Sequence, residues 1–323
     1  MEQGFKTLAY AVKHKDFETR MASRSGGIFT ALSDCVLEKQ GVVYGCVLTE
    51  DFNAVHIRAE KATERNKMRG SKYIQSDMGD MFNSVKNDLE NDRLVLFSGT
   101  SCQVAGLKGF LQKPYEKLFC VDVVCHGVPS PRVWQDYIKF QEKRADGKCT
   151  KVDFRNKRDF GWLNHIETLY FDNGKRIDSE IFKTLFFNHS ILRPCCYKCP
   201  YKSTEHPSDI TIADYWGIDK AVPNFNDNKG VSLVLINSKL GFEFFEKVKD
   251  FTEYRESSIE NSMQPALIKP TDKPKNREEF WDNYNKKSFK YIAKKYGNFS
   301  LTVRLKRKVK KIIKKIIKKQ NNG

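Results

Sequence analysis

The stretch that most narrows the possible folds is residues 95–131, "VLFSGTSCQVAGLKGFLQKPYEKLFCVDVVCHGVPSP". It reads as a buried-type strand within "RLVLFSG", a helix opened by "SCQVAGLKGFL", and a second buried-type strand, "KLFCVDVVC". Strand, helix and strand in about thirty residues make a βαβ unit, whose two strands must run parallel. Parallel neighbours lie about 4.8 Å apart and end on one edge of the sheet. Open α/β sheets take their ligands at that edge. Cys102 follows the first strand and Cys125 ends the second. Two thiols are therefore expected side by side at a ligand-binding edge.

The rest of the chain is read around this unit. A helix is expected over about 26–40, then strands at "GVVYGCVLT" and "AVHIRAE". A helix fits "SDMGDMFNSVKNDLEND", with Ser76 as its cap, and another fits "PSPRVWQDYIKFQEKR", with Pro131 in its first turn. Later strands are expected at "KVDFRN", "IETLYFD", "DITIAD" and "VSLVLIN", and helices at "KLGFEFFEKVKDF" and "REEFWDNYNKKSFKYIAKKY". The fold class is α/β: a mixed, partly parallel sheet flanked by helices, a Cys-rich loop region, and a C-terminal basic amphipathic helix. The expected division is one body over residues 1–298 and a tail over 299–323.

No apolar run approaches the roughly 20 residues of a membrane-spanning helix. The start, "MEQGFKTLAYAVKHKDFETR", is charged throughout and lacks a signal-peptide core. Both point to the cytoplasm, where thiols stay reduced, so the nine cysteines read as core filler, reactive groups or metal ligands. The net charge of +17 is concentrated in residues 301–323, which hold ten Lys and Arg and no acids; removing those ten leaves +7 for the body. In that tail Leu301, Leu305, Val309, Ile312, Ile313, Ile316 and Ile317 share one helical face. An apolar stripe set in dense positive charge suits a helix lying on an anionic membrane surface, through residues 301–319. A nucleic-acid arm has no need of the isoleucines and is disfavoured.

The second cysteine group is "LRPCCYKCPY", where Cys196 and Cys199 stand in a Cys-x-x-Cys pattern. Together with Cys102 and Cys125 they make a four-thiolate set, suited to zinc or to an iron–sulfur cluster. Two ligands that stand singly on sheet-edge loops favour the cluster over a zinc ribbon. Cys195, beside Cys196, is an alternative ligand. Cys35, Cys46 and Cys120 lie in apolar patterns and read as core packing, and Cys149 as an incidental residue near a turn.

Three Gly- and hydroxyl-rich turns stand before or between elements: "SRSGGIF" (Ser25, Gly26, Gly27), "RGSKY" (Ser71, Lys72, Tyr73) and "FSGTS" (Gly99, Thr100), the last followed by Gln103. Backbone N–H groups at such helix starts suit phosphate, and three of them suggest a flavin nucleotide. "FRNKRDFGW" supplies Arg155, Lys157, Arg158, Phe160 and Trp162, either a phosphate clamp with a stacking ring or an exposed basic hairpin. "DYWG" brings Trp216 either to the same rim or into the core. His126, directly after Cys125, is the candidate proton carrier, since imidazole titrates near neutral pH; the alternative is a residue bonded into the turn before Pro129. The sequence shows no Ser/His/Asp arrangement, no Walker-type loop and no His-Glu-x-x-His helix, which argues against hydrolase and kinase chemistry.

These stretches, "SRSGGIF", "RGSKYIQS", "LFSGTSCQVAGLK", "VDVVCHGVPSP", "FRNKRDFGW", "LRPCCYKCPY" and "SDITIADYWGI", occur in the order found in one family. The sequence resembles the coenzyme F420 hydrogenase/dehydrogenase beta subunits, whose relatives include formate dehydrogenase beta subunits and hydroxymethyl-chlorophyll reductase. The resemblance implies an oxidoreductase that binds FAD and a [4Fe–4S] cluster and passes electrons between a redox partner and a hydride-accepting substrate. It implies Cys102, Cys125, Cys196 and Cys199 as cluster ligands. The chain departs from the family pattern at Ser101, usually Pro, at Cys195, usually Ser, and at "ADYW", usually Gly-Asp-Phe-Trp. It also starts without the ferredoxin-like segment of many relatives, so a separate ferredoxin-like partner is expected. Bacterial relatives resemble members of surface-polysaccharide pathways, which suggests a sugar or lipid-linked substrate. The alternative is a zinc-stabilised, non-enzymatic binding protein whose basic tail meets nucleic acid or membrane.

Overall fold

The computed structural model describes residues 5–300; the basic tail read at 301–323 lies outside them. The chain forms two compact units. The first comprises residues up to Pro131, Phe154–His165 and Arg193–Asp272; the second comprises Arg132–Asp153, Ile166–Leu192 and the chain from Lys273. The strands are β1 (Leu8–His14), β2 (Val42–Leu48), β3 (Ala54–Ala59), β4 (Val95–Thr100), β5 (Leu118–Val123), β6 (Cys149–Asp153), β7 (Glu167–Phe171), β8 (Arg176–Ser179), β9 (Ile210–Asp214), β10 (Ser232–Ile236) and β11 (Thr252–Ser257).

The first unit is built on an eight-stranded sheet in the order β11-β1-β10-β9-β5-β4-β2-β3. Its middle strands β2, β4, β5 and β9 are parallel, while β3 on one side and β10, β1 and β11 on the other are antiparallel. Alternate residues feed two cores. Val43, Leu96, Phe119 and Val121 pack with Leu32 and Val36 of helix Ile28–Glu38 and with Phe244 and Phe245 of helix Lys239–Val248. Tyr44, Phe97 and Cys120 pack with Val85 and Leu89 of helix Met81–Glu90 and with Val104 and Leu107 of helix Ser101–Leu111. Strands covered on both faces carry unbroken apolar runs, and each such side chain contributes roughly 1.5–3 kcal/mol on burial.

The second unit carries the antiparallel sheet β6-β7-β8 and helices Pro131–Ala145, Ile181–Phe187, Arg277–Lys286 and Phe289–Tyr296. Its core is aromatic: Trp134 meets Phe182 edge-on at 4.8 Å, and Phe280 meets Tyr296 edge-on at 5.0 Å.

Several local expectations are corrected. β1 is absent from the sequence reading because charged residues flank "LAYAV", yet β1 lies between β10 and β11 and five of its residues are buried. Ser76 caps nothing: the helix starts at Met81, and Ser76 Oγ instead accepts from Gln103 Nε2 at 2.8 Å. The long helix expected over 277–296 is broken, and Ser288 caps its second half through Tyr291 N. Cys149 opens strand β6, just after the turn at Asp146 and Gly147. The exposed basic hairpin does not exist. "FRNKRDFGW" forms a short helix, Lys157–Phe160, capped by Asn156, with Arg155, Lys157 and Trp162 buried.

Candidate functional site

Register places both cysteine loops together. Thr100 at the end of β4 pairs with Val123 at the end of β5, and Cys102 and Cys125 each follow their strand end by two residues. The same edge collects Asp214 at the end of β9 and Ser232, opposite it, at the start of β10. Val12, near the end of β1, faces Ser232 in turn. Thus one sheet edge runs from the cysteines to the "SRSGGIF" turn.

At the cysteine end, "PCCYK" forms a 3-10 turn, Pro194–Lys198. Two bonds join it to the loop after Cys125: Arg193 N donates to Val128 O at 3.0 Å, and Val128 N donates to Cys196 Sγ at 3.4 Å. Cys196 is buried and directed at this loop, whereas Cys195 is exposed. Cys125 lies within electrostatic range of Cys196 and Cys102, and Cys196 within range of Cys195, Cys199 and Cys102. Burial pushes the Cys125 thiol up to about 12 against the pull of Lys202, and burial also raises Cys196. Lys202 is buried, and its Nζ donates to the Cys125 carbonyl. Thr100 Oγ1 lies 3.1 Å from Cys102 Sγ. Among the described residues no three His, Cys, Asp or Glu side chains stand as ligands of a single metal ion. Four free thiols, an N–H on one sulfur and a cation behind another match the chemistry of a thiolate-held cluster, whose sulfurs need such donors.

At the other end the residues expected to bind phosphate are hydrogen-bonded to the protein itself. A Cβ on Gly26 would lie 2.1 Å from Val12 O, so only glycine lets this turn lie against β1. Gly26 N donates to Ser232 Oγ at 2.9 Å and Ser25 Oγ to Val231 O at 2.6 Å. Gly27, at φ 95°, opens the helix Ile28–Glu38. Arg155 donates to Asp214 Oδ2 at 2.6 Å, to Tyr73 OH at 3.2 Å and to Trp162 O at 3.1 Å. Lys157 Nζ donates to Arg20 O at 2.5 Å and Ser25 O at 3.0 Å. Its hydrogen-bond partners are carbonyls, with no carboxylate among them, and burial beside Arg24 and Arg20 pulls its amine down to about 7. Lys72 Nζ closes the carbonyls of Lys67, Met68 and Arg69, and burial lowers it to about 8. Ser71 is exposed. Gly99 leads into the helix start, where Thr100 and Gln103 form a capping box; Thr100 N donates to Gln103 Oε1 at 2.9 Å.

Trp216 does reach the rim. It is 38% exposed, stacks on buried Trp162 at 5.2 Å with an interplanar angle of 7°, and carries Arg155 over its face at 5.1 Å. His126 is half-buried, and its carbonyl accepts from Thr271 Oγ1 at 3.2 Å. Two groups were missed. Asp214 binds both Arg155 and Trp162 Nε1, the latter at 2.6 Å, and an acid at the end of a parallel strand was a readable signal. Lys202 gave no signal in the sequence.

The family profile for the C-terminal part of the coenzyme F420 hydrogenase/dehydrogenase beta subunit matches residues 92–262, over half of the chain and all four cysteines. The chain belongs to this family. The F420 hydrogenase/dehydrogenase beta subunits are components of redox enzymes, and the matched region runs from β4 to beyond β11. No curated protein matches the sequence. In three dimensions the chain is similar to one from the F420-reducing [NiFe] hydrogenase complex of Methanosarcina barkeri, with a TM-score of 0.54 and 17% identity. The match covers 87% of this chain and 94% of that one; at this identity the shared property is the fold. No helix among the described residues is long and apolar enough to cross a membrane.

Proposed function

We propose that this beta-subunit-family protein is an iron–sulfur flavoprotein oxidoreductase that passes electrons between a separate ferredoxin-like partner and a hydride-accepting substrate. The observation that carries the proposal is the meeting of the Cys102, Cys125 and Cys196/Cys199 loops at one sheet edge. When bound, a [4Fe–4S] cluster supplies one-electron transfer and FAD supplies hydride exchange. Cys102 and Cys125 would hold the cluster from the strand ends, and Cys196 and Cys199 from the 3-10 turn. Lys202 sets a positive charge behind Cys125, and Val128 N–H bonds the Cys196 sulfur.

The flavin fits by stacking and by charge. Trp216 offers a flat, partly exposed face beside Arg155, and Lys157 sits on the same edge with no carboxylate bonded to it. An anion placed there would restore the charge that burial takes from Lys157. Because Gly26 N–H, Arg155 and Lys157 are bonded to the protein, they shape the turn and its field more than they grip phosphate directly. His126, directly after Cys125, is proposed as the proton carrier. The setting in surface-polysaccharide synthesis rests on family resemblance alone, and the membrane-surface role of residues 301–319 on their sequence pattern.

Iron, sulfide, zinc and flavin analysis of the anaerobically purified full chain tests the reading. Four irons with one FAD support it; zinc without flavin overturns it in favour of a structural zinc site. Binding of the full chain, but not of residues 1–300, to anionic vesicles tests the tail.

A further inference from the structure

Three buried side chains join the segments that carry the four cysteines. Ser101 directly precedes Cys102, Asp122 stands on β5 shortly before Cys125, and His206 lies on the loop that leads from Cys199 to β9. His206 Nδ1 is 2.9 Å from Asp122 Oδ2 and 3.1 Å from Ser101 Oγ. Asp122 is fully buried, and Ser101 and His206 are each 3% exposed. A carboxylate only accepts, so with Asp122 ionised Nδ1 carries the hydrogen and donates it to Asp122, with Ser101 Oγ alongside.

This is not a hydrolytic triad. There the acid holds Nδ1 and the serine meets Nε2; here both oxygens address the same ring nitrogen. His206 Nε2 and Asp122 Oδ1 are buried without a hydrogen-bond partner among the described residues. Buried polar atoms left unpaired weaken a fold, so an apolar trio of similar size would serve stability alone at least as well. What the polar pair adds is direction. This bond of fixed geometry is a side-chain link between the strand that leads to Cys125 and the loop that follows the Cys-x-x-Cys turn, added to those of Asp209 with Cys120 and of Lys202 with the Cys125 carbonyl.

We propose that His206 is a positioning residue for the cysteine site. Its Nδ1–H bond to Asp122 clamps the Cys196/Cys199 segment against the β4–β5 edge, and so sets the spacing between those sulfurs and Cys102 and Cys125. The inference rests on the four-thiolate reading above. Ser101, where the family usually has Pro, is the lesser arm, because Asp122 already takes the hydrogen.

The test compares His206→Asn, His206→Gln and Ser101→Ala in the full chain after anaerobic reconstitution with iron and sulfide. Asn keeps a donor near the position of Nδ1; Gln keeps one near Nε2 only. The readout is iron and sulfide retained against a chelator, with far-UV circular dichroism and thermal unfolding of the metal-free protein as the check on folding. His206→Gln should lose iron about 10- to 100-fold more readily than the parent, the range typical of residues that orient metal ligands. His206→Asn and Ser101→Ala should hold it like the parent. If Asn and Gln lose iron equally, or neither does, the positioning role is overturned while the four-thiolate reading stands. A parent chain that takes up no iron or sulfide overturns both.

Discussion

In the first unit the buried cation Lys157 stands at a sheet edge among carbonyl oxygens, 4% exposed, beside Arg20 and Arg24. In the second unit the buried acid Glu167 is fully enclosed, accepting from Lys183 N at 2.5 Å and from Tyr137 OH at 3.3 Å. Both are held against their preferred charge state, and burial is the leading cause for each: Lys157 is pulled down to about 7 and Glu167 pushed up to about 8. The difference lies in the surroundings. Glu167 has no exposed surface and bonds Tyr137, a ring that packs with Trp134 and Phe182, as a structural acid would. Lys157 shares its edge with exposed Trp216 and with the cysteine loops, where the proposed flavin would bring an anion to its displaced charge.

The largest effect separates the site from everything structural. Cys102→Ser and Cys199→Ser should each remove nearly all iron while leaving bound FAD in place, whereas Cys195→Ala should keep the iron. Full iron in both serine variants would break the assignment of ligands, and its loss in Cys195→Ala would move one ligand from Cys196 to its neighbour.

Next comes the acid of the second unit. An unfolded glutamate has released its proton by about pH 5, while folded Glu167 keeps it until about 8. The folded chain binds the extra proton across that window, so stability falls as pH rises, by about 3 kcal/mol from pH 5 to 8. Urea titrations of Glu167→Gln should lose this slope. The cation of the first unit has the opposite sign. Between about 7 and 10 the unfolded chain carries the proton that folded Lys157 has released, and stability rises with pH by about 2 kcal/mol from pH 7 to 9. Lys157→Met should flatten that rise. Added FAD should also weaken it in the parent, because an anion at the edge favours the charged amine. If FAD leaves the slope unchanged, Lys157 is as structural as Glu167 and the contrast between the units disappears.

The smallest effect sharpens the rim. Trp216→Ala removes a ring stacked on Trp162 and should cost about 1 kcal/mol in stability, with a larger loss in flavin affinity measured by fluorescence titration. Equal losses in both would make Trp216 a packing residue.

The edge shared by Cys102 and Cys125 was legible in the sequence because a βαβ unit admits one topology and one outlet for its strands. The capping box at Thr100 and Gln103 was legible in principle, yet the same residues read as cofactor contacts, since a hydroxyl and an amide near glycine serve either purpose. Strand β1 was hidden because its burial comes from β10 and β11, which are more than two hundred residues away in the chain.

What the sequence determined by itself was local and periodic: the parallel strands, the helices between them, the Cys-x-x-Cys turn and the emergence of Cys102 and Cys125 on one side. Only the tertiary structure decided that Arg155 and Lys157 are buried, that Trp216 lies on Trp162, and that His206 reaches Asp122 and Ser101. The physical reason is that strand period and turn chemistry act between near neighbours. Which polar groups are taken from water, and which partners they then find, depends on segments that meet only after the sheet has assembled.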